Sequence, residues 1–379
     1  MAAADTLIPT AHQAAFLPSP FQLLQSDMVK ANNDGGEVRE KKEKVQFDPN
    51  KHLQYTPPSM VHTMKELGYD DNAGVSPVGV SEPFPLFSAE AINCMRAEVL
   101  SSEVWNEYRF SSNLSQCQLR GFAPKYAPFV YDTWKSPETL AIMSKIAGID
   151  LVPAMDWEIG HINISIQSEE QKDRALADAA DPDNDEKPIV DWHTDSYPFV
   201  CVTMLSDCTQ MIGGETALRR GDRSIVKVRG PQMGCAVVLQ GRYIEHQALR
   251  AFGATERITM VTSFRPRSPI LPDDTVLTTV RSVSDLSELY FQFSEYRLEI
   301  LEERIRLQLK EARDAKRAGR RFNTKKLKQF LKEQELFLAH MNKEMLDEDL
   351  VQMGFTDDSH LYSEDLKERS RKRARAMLG

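Results

Sequence analysis

Two histidines and an aspartate are the first residues of this 379-residue chain whose types and spacing suggest chemistry. In Asp191-Trp192-His193-Thr194-Asp195, an imidazole and a carboxylate stand two residues apart. At the end of a β-strand, both would leave the same face and converge on one point. His246 follows 51 residues after Asp195, just past the apolar run Cys235–Leu239 and the glycine at 241. A second imidazole arriving from a neighbouring strand completes a set of two histidines and one carboxylate. Three such ligands occupy one face of an octahedral iron and leave three positions open. Open positions are what a catalytic metal needs, whereas a structural site is closed. Arg257 stands eleven residues beyond His246, at the head of the strand-like run Arg257-Ile258-Thr259-Met260-Val261-Thr262. A fixed guanidinium there can clamp a carboxylate in bidentate fashion. Thr259 shares its face and can donate a hydroxyl hydrogen bond. Arg250 and Arg265 are the rival cations, one close to His246 and one past the strand.

These residues need strands to hold them. Residues 157–166 (WEIGHINISI) alternate, with His161, Asn163 and Ser165 on one face and Ile162, Ile164 and Ile166 on the other. Asn163 and His161 therefore either line a pocket or are satisfied polar residues of a strand face. Further strand-like runs are 189–193, 199–205, 224–228, 235–239 and 258–264, separated by Gly and Asp turns. Many short strands at this spacing suggest a closed or sandwiched β architecture. Gly213-Gly214-Glu215-Thr216 reads as a structural turn, because it lacks the Lys of a phosphate loop. Trp192 reads as core packing, Tyr197 as a candidate for the substrate mouth, and Cys201, Cys208 and Cys235 as buried hydrophobes. Ser88 and Ser136-Pro137-Glu138 look like helix starts, and Gly148 like a helix stop.

The flanks read differently. Residues 1–55 are expected to be disordered, given Asn32-Asn33-Asp34-Gly35-Gly36 and the charge run at 37–44. Residues 168–187 hold eight acids and three bases, which suits a solvated loop or a lid over the site. From about Ser284 the apolar spacing is helical to near Met345, broken at Gly319, which predicts a helical hairpin within a 284–379 extension. From Val283 onward there are 20 Lys+Arg and 19 Asp+Glu, leaving 27 and 37 before it, so the acidity belongs to the first three quarters.

Composition removes several classes. The longest apolar runs span a few residues, whereas a membrane-crossing helix needs about 20. The N-terminus has neither the basic nor the apolar region of a secretory signal. Five cysteines without CxxC spacing indicate neither a disulfide framework nor a zinc ribbon, so a reducing, cytoplasmic compartment is the default. The basic cluster at 369–375 leaves a nuclear address open. A net charge of -9 argues against generic nucleic-acid binding.

The order HxD, Gly-Gly-Glu-Thr, glycine-punctuated apolar strand, His and then Arg-x-Thr resembles the Fe(II)/2-oxoglutarate-dependent dioxygenases. The motifs run from about 157 to 265, under a third of the chain. The resemblance implies a mainly β fold with flanking helices: a double-stranded β-helix, or jelly-roll, core over 56–283, followed by the C-terminal hairpin. It implies that His193, Asp195 and His246 bind Fe(II) and that iron chelates the keto-acid end of 2-oxoglutarate. It implies that Arg257, helped by Thr259, holds the distal carboxylate; Asn163 is grouped with them on the cofactor side of the pocket. Dioxygen is the co-substrate. Related halogenases replace the carboxylate with a small residue, so Asp195 favours hydroxylation or desaturation over halogenation. In detail the sequence looks most like uncharacterised fungal members, several of them in natural-product pathways, which implies a small organic substrate. Two other functions stay open: a protein- or nucleic-acid-modifying oxygenase, for which the basic hairpin is the only feature, and a non-catalytic jelly-roll binding protein. A homodimer through the C-terminal helices is the expected self-association.

Overall fold

Alternation along one long strand organises the molecule. The structure, a computed structural model, describes residues 45–70, 72–113, 115, 117–166, 188–209, 211–228, 232–249, 251–252 and 256–356. Its strands run in chain order: β1 (Val61–Thr63), β2 (Val78–Ser81), β3 (Phe84–Pro85), β4 (Arg109–Phe110), β5 (Gln118–Leu119), β6 (Leu151–Pro153), β7 (His161–Ile166) and β8 (Pro188–His193). They continue with β9 (Phe199–Met204), β10 (Ile212–Gly213), β11 (Thr216–Arg219), β12 (Ile225–Val228), β13 (Cys235–Leu239), β14 (His246–Leu249), β15 (Ala251–Phe252) and β16 (Glu256–Pro266). A large sheet takes the order β1-β2-β13-β9-β16-β7-β5-β4, with β3 on β13 and β6 on β16. A small sheet takes the order β12-β11-β14-β8, and β10 pairs with β15. Every strand pairing among the described residues is antiparallel.

The central strand β16 shows how the layers form. Ile258, Met260 and Phe264 are buried on one of its faces. There Trp134 donates its indole N–H to Met260 Sδ at 3.3 Å and packs edge-on against Phe87 and Phe264. Trp134 comes from the helix Pro128–Lys135, so helices cover this face of the large sheet. Truncating such a fully buried indole to alanine costs about 3–5 kcal/mol. The Pro128–Lys135 helix lacks a cap of its own; the Glu98 carboxylate, from the helix Ala89–Val99, accepts from the N–H groups of Phe129 and Val130. Ser88 and Ser136 cap their helices as expected, and Gly148 ends Pro137–Ala147 in the left-handed conformation.

The other face of β16 carries Val261, and here the two sheets meet. Val80, Val200, Val237, Leu239 and Val261 of the large sheet form one apolar cluster with Leu218 and Val228 of the small sheet. Burying each such side chain stabilises the pair of sheets by about 1.5–3 kcal/mol. A second cluster joins the body to two long helices, Leu286–Arg317 and Thr324–Glu344. In it Met155, Trp157, Tyr197 and Leu277 pack with Leu289, Phe293, Tyr296, Phe337 and Met341. Asp285 and Asn323 cap these helices, and Gly319 lies in the turn between them at φ 66°.

Two local expectations change. Residues 45–55, assigned to a disordered head, carry a short helix, Pro49–His52, capped by Asp48. His52 is buried there because its ring packs edge-on to Phe129 and stacks on Phe47. The strand expected from 157 starts only at His161. Asp156–Glu158 forms a 3-10 turn, Gly160 sits at φ 67°, and the Trp157 indole donates to Ser284 Oγ. The expected acidic loop at 168–187 and the basic cluster at 369–375 lie outside the described residues. No described helix is long and apolar enough to cross a membrane.

Candidate metal centre

Strand register brings the two histidines together. His193 ends β8 and His246 opens β14, and the two are paired directly across the antiparallel ladder. Opposed residues share a face, and the two rings lie 4.4 Å apart. On the other side of β14, His246 pairs with Leu218, a member of the cluster between the sheets. Both imidazoles therefore face the inter-sheet space. Asp195 lies two residues past the strand end, where its N–H donates to the carbonyl of Gly241 at 2.9 Å. That bond turns the carboxylate back: its Oδ1 stands 3.8 Å from His193 Nε2 and 3.6 Å from His246 Nε2. Ligand atoms of all three lie within 4.8 Å of one another.

The donor set fits a divalent metal. His246 Nδ1 is 2.9 Å from the carbonyl oxygen of Ile244, which can only accept, so Nδ1 carries the proton. Its Nε2 lone pair is left facing Asp195 and His193, the orientation that outer hydrogen bonds give to metal-binding histidines. Burial lowers the His246 pKa against the opposing pull of Asp195, which keeps the ring neutral and ready to ligate. Asp195 Oδ2 is buried and makes no hydrogen bond. A buried carboxylate oxygen without a partner is costly unless a cation completes it. Gly241 supplies the room: a Cβ there would overlap the Asp195 carboxylate.

Across the inter-sheet space, β16 and β7 present a polar face. Arg257 pairs with Ser165, Thr259 with Asn163, and Val261 with His161. Gln118 of β5 pairs with Asn163 from the other side. Val261 belongs to the inter-sheet cluster, so this whole face looks inward. Arg257 Nε is buried without a hydrogen-bond partner, and burial lowers its guanidinium pKa. Among the described residues no acid forms an ion pair with it. A desolvated guanidinium of this kind fits an incoming carboxylate. Arg265, its rival, is engaged elsewhere: Nε reaches the Ala154 carbonyl at 3.3 Å and the guanidinium lies over Tyr296. Arg250 lies outside the described residues.

Thr259 is buried on the same face, opposite Asn163. Asn163 Oδ1 accepts from Ser115 Oγ at 3.4 Å, and Nδ2 donates to His161 Nε2 at 3.3 Å. The His161 proton then sits on Nδ1, which is buried and unpartnered. Burial, with Arg120 nearby, holds the His161 pKa well below the usual imidazole value. Gln118 Oε1 is likewise buried and unpaired. Besides the Arg257 guanidinium, the face thus offers one unmet donor and one unmet acceptor, further along the strands.

Sequence reasoning missed or misplaced several residues here. Gly241 was read only as a turn, although its missing side chain shapes the carboxylate. The buried Arg120–Glu158 ion pair carries no motif. Tyr197, a candidate for the substrate mouth, is 2% exposed and packed in the cluster with Tyr296 and Phe293. Trp192 is half-buried on the reverse face, under the Arg219 guanidinium at 4.8 Å, rather than in the core. Cys201 is buried, whereas Cys208 and Cys235 are half-buried, and all three are free thiols.

The segment after Asp195 is also tied down. Val276 N–H donates to the Ser196 carbonyl, and the hydroxyls of Ser196 and Thr279 are hydrogen-bonded at 2.5 Å. Leu277 N–H and Arg281 Nη2 both donate to the Glu344 carboxylate, at 2.8 and 2.7 Å. The end of the last long helix is therefore two hydrogen-bonded links from the metal motif.

No protein-family model matches the chain, and no curated protein matches it. Solved structures do. An oxidoreductase of the 2OG-Fe(II) oxygenase family from Burkholderia pseudomallei is 13% identical, with a TM-score of 0.28. That match covers 41% of this chain and 62% of the other, so this chain spans less than two thirds of that protein. A Pseudomonas putida prolyl-4-hydroxylase is 16% identical over 54% of this chain and 97% of its own, with a TM-score of 0.35. The epimerase SnoN, in complex with Fe3+, alpha ketoglutarate and nogalamycin RO, is 12% identical over 50% of this chain and 80% of its own, with a TM-score of 0.36. The chain is similar to these 2OG-Fe(II) oxygenases at low identity.

Proposed function

We propose that this protein is an Fe(II)/2-oxoglutarate-dependent oxygenase that hydroxylates or desaturates a small organic substrate. One observation carries the reading: His193 and His246 are opposed across one ladder, with Asp195 Oδ1 within 3.8 Å of both Nε2 atoms. Two imidazoles and one carboxylate on a single side leave the rest of a metal's shell open to ligands, as iron oxygenases require. The two facing sheets, with the metal motif between them, support a double-stranded β-helix core.

Bound Fe(II), with 2-oxoglutarate and dioxygen, would supply the oxidation of an unactivated C–H bond and release succinate and carbon dioxide. The chain's own residues do the positioning. The Ile244 carbonyl fixes the His246 tautomer, and Gly241 leaves space for the Asp195 carboxylate. Arg257 holds the distal carboxylate of 2-oxoglutarate with its unpaired guanidinium, and Thr259 stands beside it on the same strand face. Asn163 is the third cofactor contact; its amide also orients His161, whose Nδ1–H remains available to a bound molecule. The apolar cluster of Leu218, Val237 and Val261 excludes water from the same space.

The test is succinate release from 2-oxoglutarate by the iron-reconstituted protein across a panel of small organic substrates. Turnover that needs iron, 2-oxoglutarate and Asp195 supports the reading. A protein that retains its turnover after Asp195→Ala, or that binds iron but releases no succinate from 2-oxoglutarate with any substrate of the panel, refutes it.

A further inference from the structure

A second polar cavity lies behind the metal motif, on the reverse face of the small sheet. It has a volume of about 330 Å³ and is lined by Tyr69, Thr194, Arg219, Arg220, Gly221, Arg223, Arg242, Tyr243 and Glu245. Four arginines and a single carboxylate surround it, in a chain whose net charge is -9. Asp222, in the same turn, directs its carboxylate to Ser224 N–H and Oγ, and Asp274 accepts from the Tyr243 hydroxyl.

Two of the arginines are held in place from within. Arg219 is 6% exposed, lies over the Trp192 ring and has Nε 3.3 Å from Glu245, in a geometry that makes no hydrogen bond. Arg242 donates Nε to the Asp274 carbonyl at 2.9 Å and Nη1 to Thr194 Oγ1 at 3.4 Å. Two more, Arg220 and Arg223, stand exposed at the rim. Their turn is docked: Gly221 N–H donates to the Leu67 carbonyl at 2.9 Å, and a Cβ at 221 would overlap the Gly68 carbonyl. Arg223 N–H closes the turn onto the Arg220 carbonyl, and Arg223 is the single non-glycine residue with positive φ, 71°, among the described residues.

Each guanidinium offers five N–H donors in a planar fork matched to phosphate and carboxylate. The two tyrosine hydroxyls already donate, to Arg219 O and Asp274 Oδ2, and the buried Arg219 Nε makes no hydrogen bond, so what the cavity lacks is an acceptor for that guanidinium. A carboxylate brings two oxygens, whereas a phosphate group brings at least three, with close to two charges at neutral pH. The volume is near the lower end for ligand pockets, which suits one small anionic group. We propose that this cavity binds the phosphate group of a small molecule, or free phosphate itself, independently of the metal.

Calorimetric titration of the iron-free full chain tests this, at ionic strength fixed with potassium chloride. The probes are inorganic phosphate and pyrophosphate. Saturable one-to-one binding is expected, weakened about tenfold or more in the rim double variant Arg220→Glu/Arg223→Glu. Both rim side chains are exposed, so the variant folds, as circular dichroism will verify. Arg267→Glu, an arginine outside the cavity, should bind as the wild type does. Preference for pyrophosphate assigns the site to a phosphorylated molecule with neighbouring acceptors, and preference for phosphate assigns it to the free ion. Absence of saturable binding of either probe, or equal weakening by Arg267→Glu, overturns the proposal.

Discussion

The two faces of the small sheet are built from the same strands and carry opposite chemistry. Inward, β8 and β14 present His193 and His246 around the Asp195 carboxylate, and the His246 Nε2 lone pair faces that carboxylate. Outward, the neighbouring positions are Trp192, Thr194, Arg219 and Glu245, and the excess is of N–H donors. One face suits a cation and the other an anion. The side-chain period of two produces this separation within four residues, 192–195. A slip of one residue would exchange the faces and destroy both. Each face also depends on a glycine with no room for a Cβ, Gly241 against Asp195 and Gly221 against Gly68.

The largest expected effect breaks the inner face alone. His246→Ala or Asp195→Ala should reduce succinate release to background, a greater loss than the roughly 10–100-fold typical of outer partners. Circular dichroism should be unchanged, and residual iron-dependent turnover would count against the triad. Next comes Gly241→Ala, which forces the carboxylate aside while keeping all three ligands. Iron titration should show about 10–100-fold weaker binding, and wild-type affinity would mean that the carboxylate has slack the geometry denies. Arg257→Ala should then raise the 2-oxoglutarate KM by roughly tenfold or more, equivalent to a lost charge-assisted hydrogen bond of about 1.5–3 kcal/mol. Arg265→Ala should leave that KM unchanged; the reverse pattern would identify Arg265 as the clamp. The smallest effect tests the outer face. Arg219→Ala removes the contact with Trp192 and the ion pair with Glu245, and should lower stability by about 1–2 kcal/mol in urea unfolding. Iron affinity should stay within about twofold, and a fall as large as that from Gly241→Ala would show that the faces are not independent.

The inner face was legible in the sequence because strand alternation and motif spacing are local signals. Two residues separate His193 from Asp195, and alternation from His161 to Ser165 reports the inward side directly. Helix caps at Ser88 and Ser136 were legible for the same reason. The outer cavity was not, because Tyr69, Thr194, Gly221 and Arg242 meet only after the turn at 220–223 docks on 67–68. Gly241 looked like any turn glycine, since the atom it avoids belongs to a residue 46 positions earlier. Tyr197 was misplaced because the helix that covers it lies about 100 residues downstream. The two- and three-residue strands β1, β3, β4 and β5 are too short to show alternation and are specified by the neighbours they pair with.

The Glu344 contacts set an order of events during synthesis. The Arg-x-Thr strand is complete once the ribosome has passed Pro266, yet Leu277 and Arg281 wait for a carboxylate encoded more than 60 residues later. At roughly 5–20 residues per second, that delay is a few seconds at least. Until then Ser196, next to Asp195, is anchored to a segment that still lacks its Glu344 contacts. Metal loading by a nascent chain should accordingly trail the appearance of His193, Asp195 and His246 themselves.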